Sequence, residues 1–293
     1  DGDGDGQGER ERMKLIHLTD THFVGPGEEL YGLDPRKRLD LCVADINRHH
    51  ADADLAVITG DLTHFGDRPA FQNLKESLDN LVPPLRLIVG NHDLPDPLTE
   101  IFPDVELDEN GFVQSVLDRS EGRFLFLDST LEGTHAGHYC EKRLAWLEQQ
   151  LKEAEGQPCF LFMHHPPFPV HIKPMDRIAL KEAGAFGETV APYIGQIRHL
   201  FFGHVHRPIS GSWRGIPFTT LRGTNHQVGL DFETDGETPG SHEPPAYAIV
   251  FIGPDQVVVH FHDFLDTSAR FDLSETEFDF WEEQRDRVAA DVA

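Results

Sequence analysis

Five short clusters of metal-binding residue types constrain this chain more than anything else in it. They are Asp20-Thr21-His22, Gly60-Asp61, Gly90-Asn91-His92-Asp93, His164-His165-Pro166-Pro167 and Gly203-His204-Val205-His206. Each follows a short apolar run, such as Lys14 to Thr19, Leu55 to Thr59, Leu85 to Val89, Phe160 to Met163 or Leu200 to Phe202. Such runs, separated by helical patterns, read as buried strands. In α/β sheets ligands bind beyond the carboxyl ends of the strands. The pattern therefore predicts that five stretches deliver Asp, Asn and His to one edge of one sheet.

The intervening segments fix the first half of the topology. Asp34-Pro35 is an N-cap followed by a first-turn proline, and Leu39, Val43 and Ile46 then recur at helical spacing. His49 and His50 close that helix, where imidazoles suit the dipole. A second amphipathic helix is predicted over 67–81. The result is βαβαβ, which implies parallel strands with right-handed crossovers. Further on, a short helix is predicted over 98–102, a strand pair around Ser120-Glu121-Gly122, a helix over 139–154 and another over 188–195. The prolines at 166, 167, 169 and 174 argue against any regular element over 166–178. Strand patterns over 209–213, 217–221, 246–252 and 257–262 read as antiparallel hairpins closing a second sheet. By pattern alone the fold is α/β, with a parallel first half and hairpins later.

Composition narrows the function. The 293 residues include 25 basic and 51 acidic ones, a formal charge of −26. A chain this acidic is a poor partner for nucleic acid backbones and anionic lipid. An anionic substrate would need local positive charge, for which bound metals are the obvious source. No apolar stretch reaches the roughly 20 residues that span a bilayer. The three cysteines, Cys42, Cys140 and Cys159, have no ligand spacing and fit free thiols of a cytoplasmic protein. Residues 1–12 are expected to be a disordered leader or an expression remnant, and 266–293 an acidic tail. Phe278, Phe280 and Trp281 of that tail are expected to anchor it to the body or to a second subunit.

The ligand count sets the chemistry. Asp20, His22, Asp61, Asn91, His164, His204 and His206, with His92 and His165 beside them, are too many for one tetrahedral zinc. They suit two divalent ions about 3.5–4 Å apart sharing a bridging carboxylate. Mixed nitrogen and oxygen donors favour Mn, Fe, Co or Zn over Mg or Ca. Gly60, Gly90 and Gly203 are expected where backbone turns tightly beside the ions. Each cluster alone is weak; all five in order are specific.

Taken together these residues resemble the calcineurin-like metallophosphoesterase signature. Glu29-Leu30-Tyr31-Gly32, Met163 to Pro167 and Gly223-Thr224-Asn225-His226-Gln227-Val228 are similar to the class III cyclic nucleotide phosphodiesterases, and within them to the bacterial glycerophosphodiesterases. The resemblance covers residues 13–265. It implies a four-layer αββα sandwich of two mixed sheets flanked by helices, with a small cap region assigned to 166–185 and 228–245. It implies that Asp20, His22 and His206 hold one metal, that Asp61 bridges, and that Asn91, His164 and His204 complete the other. The family ligand stands two before the proline, which selects His164 over His165. His92 is implied to lie at the leaving oxygen, with His226 and Tyr31 at the substrate. The implied reaction is hydrolysis of small phosphodiesters, glycerophosphodiesters or 3′,5′-cyclic nucleotides, by in-line attack of a hydroxide bridging the metals. A phosphomonoesterase or phosphoprotein phosphatase on the same core is the alternative, and a non-catalytic metal-binding scaffold the second. Asp93 is expected either to orient His92 or to serve the turn. His135 and His138 are placed within reach of the pocket rim, and His199 and His260 are read as structural. A homo-oligomer joined through the C-terminal region is compatible with this composition.

Overall fold

The computed structural model describes residues 12–273. The leader apart from Arg12, and Phe278, Phe280 and Trp281, lie outside the described residues. In chain order the elements are β1 (Met13–Leu18), α1 (Pro35–His49), β2 (Leu55–Thr59), α2 (Arg68–Leu78), β3 (Leu85–Ile88), α3 (Pro95–Ile101), β4 (Ser115–Arg119), β5 (Gly122–Phe126) and α4 (Glu141–Glu153). There follow β6 (Cys159–Met163), α5 (Lys173–Arg177), α6 (Ala183–Val190), β7 (Ile197–Phe202), β8 (Ile209–Trp213), β9 (Ile216–Thr220), β10 (Gln227–Val228), β11 (Gly240–Ser241), β12 (Tyr247–Ile252) and β13 (Val257–His262).

The strands form two large mixed sheets. The first has the order β13-β12-β1-β2-β3, the second β4-β5-β6-β7-β9-β8, and β10 and β11 form a small ribbon. Strands β1, β2 and β3 are parallel, as are β5, β6 and β7. Alternation along each strand divides its side chains between two cores. Leu15, Val57, Phe124, Phe160, Phe162 and Phe201 fill the space between the sheets. Ile16, Leu18 and Ile58 face the other way and pack on Leu39, Val43, Phe71 and Leu74 of α1 and α2. Leu161, Met163, Leu200 and Phe202 pack on Leu147, Leu151, Phe186 and Val190 of α4 and α6. Three cores between four layers make the αββα sandwich.

Local sequence explains the helix starts. Asp34 Oδ1 accepts from Lys37 N at 3.1 Å and Asp67 Oδ1 from Ala70 N at 2.9 Å, each just ahead of a first-turn proline or an Arg-Pro pair.

The structure corrects four expectations. The ligand-bearing strands belong to two sheets, so the clusters meet at the shared edge of a stack and not at one sheet. The hairpin β12–β13 joins the first sheet beside β1 instead of closing the second. The proline-rich segment holds the short helix α5, because Pro174 sits in its first turn where no amide hydrogen bond is lost. The helix expected over 188–195 runs earlier, over α6, and ends in a 3₁₀ turn at Ala191–Tyr193.

Beneath the ligand edge, His17 lies fully buried between the sheets, against Phe162 and Phe201, with Nε2 2.9 Å from Thr59 Oγ1. His199, read as structural, is buried too and reaches Thr219 Oγ1 at 2.6 Å. Burial pushes His17 down to about 3 and His199 down to about 4. Both folded values lie below the unfolded value near 6.5, so the unfolded chain binds more protons in acid. Stability should therefore fall as pH drops from about 6.5 towards 4. Thermal melts across that window should show the loss, and His17→Phe should flatten the slope without unfolding the protein at pH 7.5.

Candidate metal centre and active site

The clusters converge because the loops after the strands share one backbone trick. Asp20, His22, Asp61, His204 and His206 all have positive φ, between 45° and 70°. Left-handed backbone is uncommon for residues with side chains and gathers at functional sites. Here it bends each strand end so that consecutive polar residues point inward. The first two loops are stitched in parallel: Asp20 N donates to Gly60 O at 3.0 Å, and His22 N to Asp61 O at 2.9 Å. Gly60 has φ +90°, and a Cβ there would sit 2.6 Å from His164 Nδ1. At Gly90 and Gly203 the need is close approach. A Cβ on Gly90 would collide with Asp61, and one on Gly203 with Thr19 Oγ1.

The donor atoms fall into two overlapping groups. In the first, His206 Nε2 lies 3.3 Å from Asp20 Oδ1 and 3.1 Å from His22 Nε2. In the second, His164 Nε2 lies 3.1 Å from Asn91 Oδ1. Asp61 Oδ2 faces both, at 3.5 Å from His22 Nε2 and 3.4 Å from His164 Nε2. The ligand atoms of Asp20, His22, Asp61 and His206 all lie within 4.8 Å of one another. These separations are those of atoms arranged around an ion. His204 Nε2 is buried and, among the described residues, meets no hydrogen-bond partner. An orphaned imidazole nitrogen in a ring of carboxylates and imidazoles fits a divalent cation of borderline softness.

Outer contacts aim these atoms. Asp61 Oδ1 accepts from His92 N at 2.9 Å, which leaves Oδ2 for the site. Asp20 Oδ2 accepts from Thr19 Oγ1, and His204 N straddles the carboxylate, 3.1 Å from Oδ2 and 3.2 Å from Oδ1. His164 Nδ1 donates to Thr59 O at 2.7 Å and His206 Nδ1 to His226 O at 2.8 Å, so Nε2 of each carries the free lone pair. His165 is different. Its Nδ1 lies 2.8 Å from Ser129 Oγ and its Nε2 3.2 Å from His135 O, so both nitrogens are engaged.

Electrostatics divide the imidazoles into two sets. Burial opposes charge on Asp61 and on His164, yet each sustains the other. His164 and His22 hold the Asp61 carboxyl well below the usual range, and Asp61 pushes His164 up to about 9. Burial drives His22, His204 and His165 well below the ordinary imidazole value, which keeps them neutral. Neutral imidazoles and ionised carboxylates are the forms that bind metal, so ions would have to displace the proton that Asp61 favours on His164 and the one that Asp20 favours on His206.

Around this centre lie the other residues singled out in the sequence. The His92 ring stacks on His64 with centroids 4.7 Å apart, and its Nδ1 donates to His64 O at 2.8 Å. His226 approaches His22 and His206, and Tyr31 packs edge-on to His226 at 4.6 Å. Both line the central chamber, as do Met175 and Ile178. His135 reaches the site, 2.9 Å from Asn91 Nδ2, whereas His138 pairs with Glu182 away from it. Asp93 serves the turn: its carboxylate accepts from Gly90 N, Leu62 N and Thr63 N, each at 2.9 Å.

Two contributors carry no signal of their own in the sequence. His64 follows Gly60-Asp61 by a few residues, and only the left-handed turn at Asp61 brings it back against His22, at 3.2 Å between their Nδ1 atoms. Arg143 is buried and donates to Asp128 O, Thr130 O and His138 O, so it holds the loop that carries His135.

Residues 13–208 match the calcineurin-like phosphoesterase family. The chain belongs to that family. It is 45% identical over 267 residues to a probable cyclic nucleotide phosphodiesterase of Rhodopseudomonas palustris, covering 90% of this chain and 97% of that protein. It is 33% identical over 239 residues to a probable glycerophosphodiester phosphodiesterase of Arcobacter nitrofigilis, covering 80% of this chain and 86% of that one. Among solved structures, a dimetal phosphatase of Danio rerio shares the fold, with a TM-score of 0.66 over 87% of this chain and 97% of that one, at 15% identity.

The contrast between adjacent histidines gives a direct test. His164→Ala should remove one of two equivalents of Mn²⁺ retained after gel filtration, whereas His165→Gln should retain both. Loss of metal in His165→Gln with none in His164→Ala would reverse the assignment.

Proposed function

We propose that this chain hydrolyses small phosphodiesters, such as glycerophosphodiesters and 3′,5′-cyclic nucleotides, with two divalent metal ions. The observation that carries the proposal is Asp61, whose Oδ2 faces two donor groups at once. Asp20, His22 and His206 would hold one ion, and Asn91, His164 and His204 the other. The nitrogen and oxygen donors suit Mn, Fe, Co or Zn. When bound, the pair would supply an acidified water as nucleophile and neutralise charge on the phosphoryl oxygens. The names of the two relatives, both phosphodiesterases, support the same class of substrate.

The protein's own groups do the rest. An alkoxide is a poor leaving group and needs a proton. As an imidazolium, His92 would supply one from Nε2 while its Nδ1–H stays on His64 O, and it would be left as the neutral Nδ1–H tautomer. Its backbone amide on Asp61 Oδ1 ties that acid to the bridging carboxylate, so the proton donor and the ion cradle share one frame. The Asn91 carboxamide is braced by His135 and would orient the phosphoryl group beside His164. His226 and Tyr31 bound the substrate on the opposite flank. The segments 166–185 and 228–245 serve as caps: Met175, Ile178 and Val228 line the chamber, and His242 Nε2 donates to Tyr31 O at 2.9 Å.

Among the described residues, no helix is long and apolar enough to cross a membrane. The net charge of −26 disfavours polymeric nucleic acid as substrate. The outer strand β13 ends the first sheet, and a second copy could pair there.

With Mn²⁺, Co²⁺ or Zn²⁺ bound, the protein should cleave bis(p-nitrophenyl) phosphate faster than p-nitrophenyl phosphate. His92→Ala should lower kcat for an alkyl leaving group by about 10²–10³ and less for p-nitrophenolate, which needs no proton. A monoester preference would instead place the chain among the phosphatases, and silence on both would favour a scaffold.

A further inference from the structure

His64 stands beside the metal centre but has no place in the ligand set. Its backbone is fixed by the loop that carries His22. Phe23 and Thr63 pair in parallel, and His64 N donates to Phe23 O at 2.8 Å. Its half-buried ring is packed against four others. It lies edge-on to Phe65 at 4.6 Å and to Tyr31 at 5.9 Å, tilted on His22 at 5.3 Å and flat on His92 at 4.7 Å. A ring held this way presents its Nδ1 in one direction, and that direction is His22 Nδ1, 3.2 Å away.

Two roles suit such a ring. The first is a metal ligand, since ligand atoms of His22, His64 and His92 lie within 4.8 Å of one another. The stack argues against it. The His64 and His92 planes are 18° apart, so the lone pairs of the two rings lie in nearly parallel planes and do not converge on one ion. His92 Nδ1 is moreover spent on His64 O at 2.8 Å.

The second role is a hydrogen-bond acceptor. Two neutral imidazole nitrogens in contact share one proton, held by one and accepted by the other. His22 Nε2 faces the centre, 3.1 Å from His206 Nε2 and 3.5 Å from Asp61 Oδ2. A nitrogen that is to bind an ion must keep its lone pair, so the His22 proton belongs on Nδ1 and His64 Nδ1 accepts it. His64 then carries its own proton on Nε2. It does for His22 what Thr59 O does for His164 and His226 O for His206. The difference is that this acceptor is a side chain, which a substitution can remove.

Resting on the two-metal reading, we propose that His64 is a positioning residue: it fixes His22 as the Nδ1–H tautomer and so reserves Nε2 for the ion held with Asp20 and His206. The same residue reaches the proton donor by a separate route, its backbone carbonyl on His92 Nδ1. That carbonyl remains when the side chain is replaced, so the two effects of position 64 are separable.

Two substitutions part the ring from the acceptor. His64→Phe keeps a flat ring against His92 and has no acceptor. His64→Asn has no ring and places Oδ1 near the position of the imidazole Nδ1. In the metal-free full chain at about pH 8, above the ordinary imidazole pKa, long-range ¹H–¹⁵N correlation spectra should show His22 as the Nδ1–H tautomer. Its signals are identified by their loss in His22→Gln. His64→Phe should move His22 to Nε2–H or to a mixture, and His64→Asn should restore Nδ1–H. Calorimetric titration with Mn²⁺ should follow the same order. One of two binding steps should weaken about 10- to 100-fold in His64→Phe, and His64→Asn should recover most of that loss. An unchanged tautomer and affinity in His64→Phe would overturn the proposal. Equal losses of affinity in both variants, with lowered melting temperatures and an unchanged His22 tautomer, would reduce His64 to a folding role and overturn it too. If wild type bound no Mn²⁺, the two-metal reading itself would fail and the proposal with it, a result distinct from either.

Discussion

The structure depends on one buried carboxylate. Asp61 is enclosed by imidazoles at the meeting point of two donor groups, and burial alone would drive it to take a proton. An isolated carboxylate in such a place costs several kcal/mol. It is tolerable because His164 compensates it in the protein, and because cations would do so when bound. The surrounding backbone exists to hold this arrangement. His92 N fixes Oδ1, and His164 is fixed in turn through Thr59 O. Gly60 and Gly90 clear the space for these loops to touch. Removing any one of these contacts would leave a charge buried without its partner.

A second layer of control lies in direction. Two of the four donor imidazoles in the centre have their far nitrogen tied to a backbone carbonyl, His164 to Thr59 and His206 to His226. This selects the tautomer before any ion arrives. His92 obeys the same rule through His64, but its nitrogen is committed to a different end, the proton needed by a departing oxygen. One local device, a backbone carbonyl on Nδ1, thus serves both to bind and to catalyse. The strained left-handed turns are the cost of this convergence, and the close-packed double sheet beneath them supplies the rigidity that sustains it.

Much of this was legible in the sequence, for a physical reason. A strand buried on both faces is an unbroken apolar run, so its end is marked sharply, and the residues just past it must lie at the sheet's edge. Asp20, His22, Asp61, Asn91, His164, His204 and His206 were all found that way, and the structure brings them together. The division of strands between sheets was not legible, because β12 looks like any other apolar strand and its pairing with β1 is set by distant topology. Pro174 misled for the opposite reason: proline forbids a helix interior but favours a first turn. Asp93 sat in the most distinctive motif, yet its work is to accept three backbone amides. His64 and Arg143 carry no mark in the sequence, because their roles come from where turns return the chain, which spacing does not record.

Asp61 Oδ2 is placed where it would serve two ions at once. The most direct measurement is a crystal structure of manganese-loaded protein with anomalous scattering recorded at the manganese edge. Two peaks about 3.5–4 Å apart are expected, one among Asp20, His22 and His206, the other among Asn91, His164 and His204, with Asp61 Oδ2 between them. A single peak, or two with His165 as a ligand or Asp61 outside both coordination spheres, would contradict it.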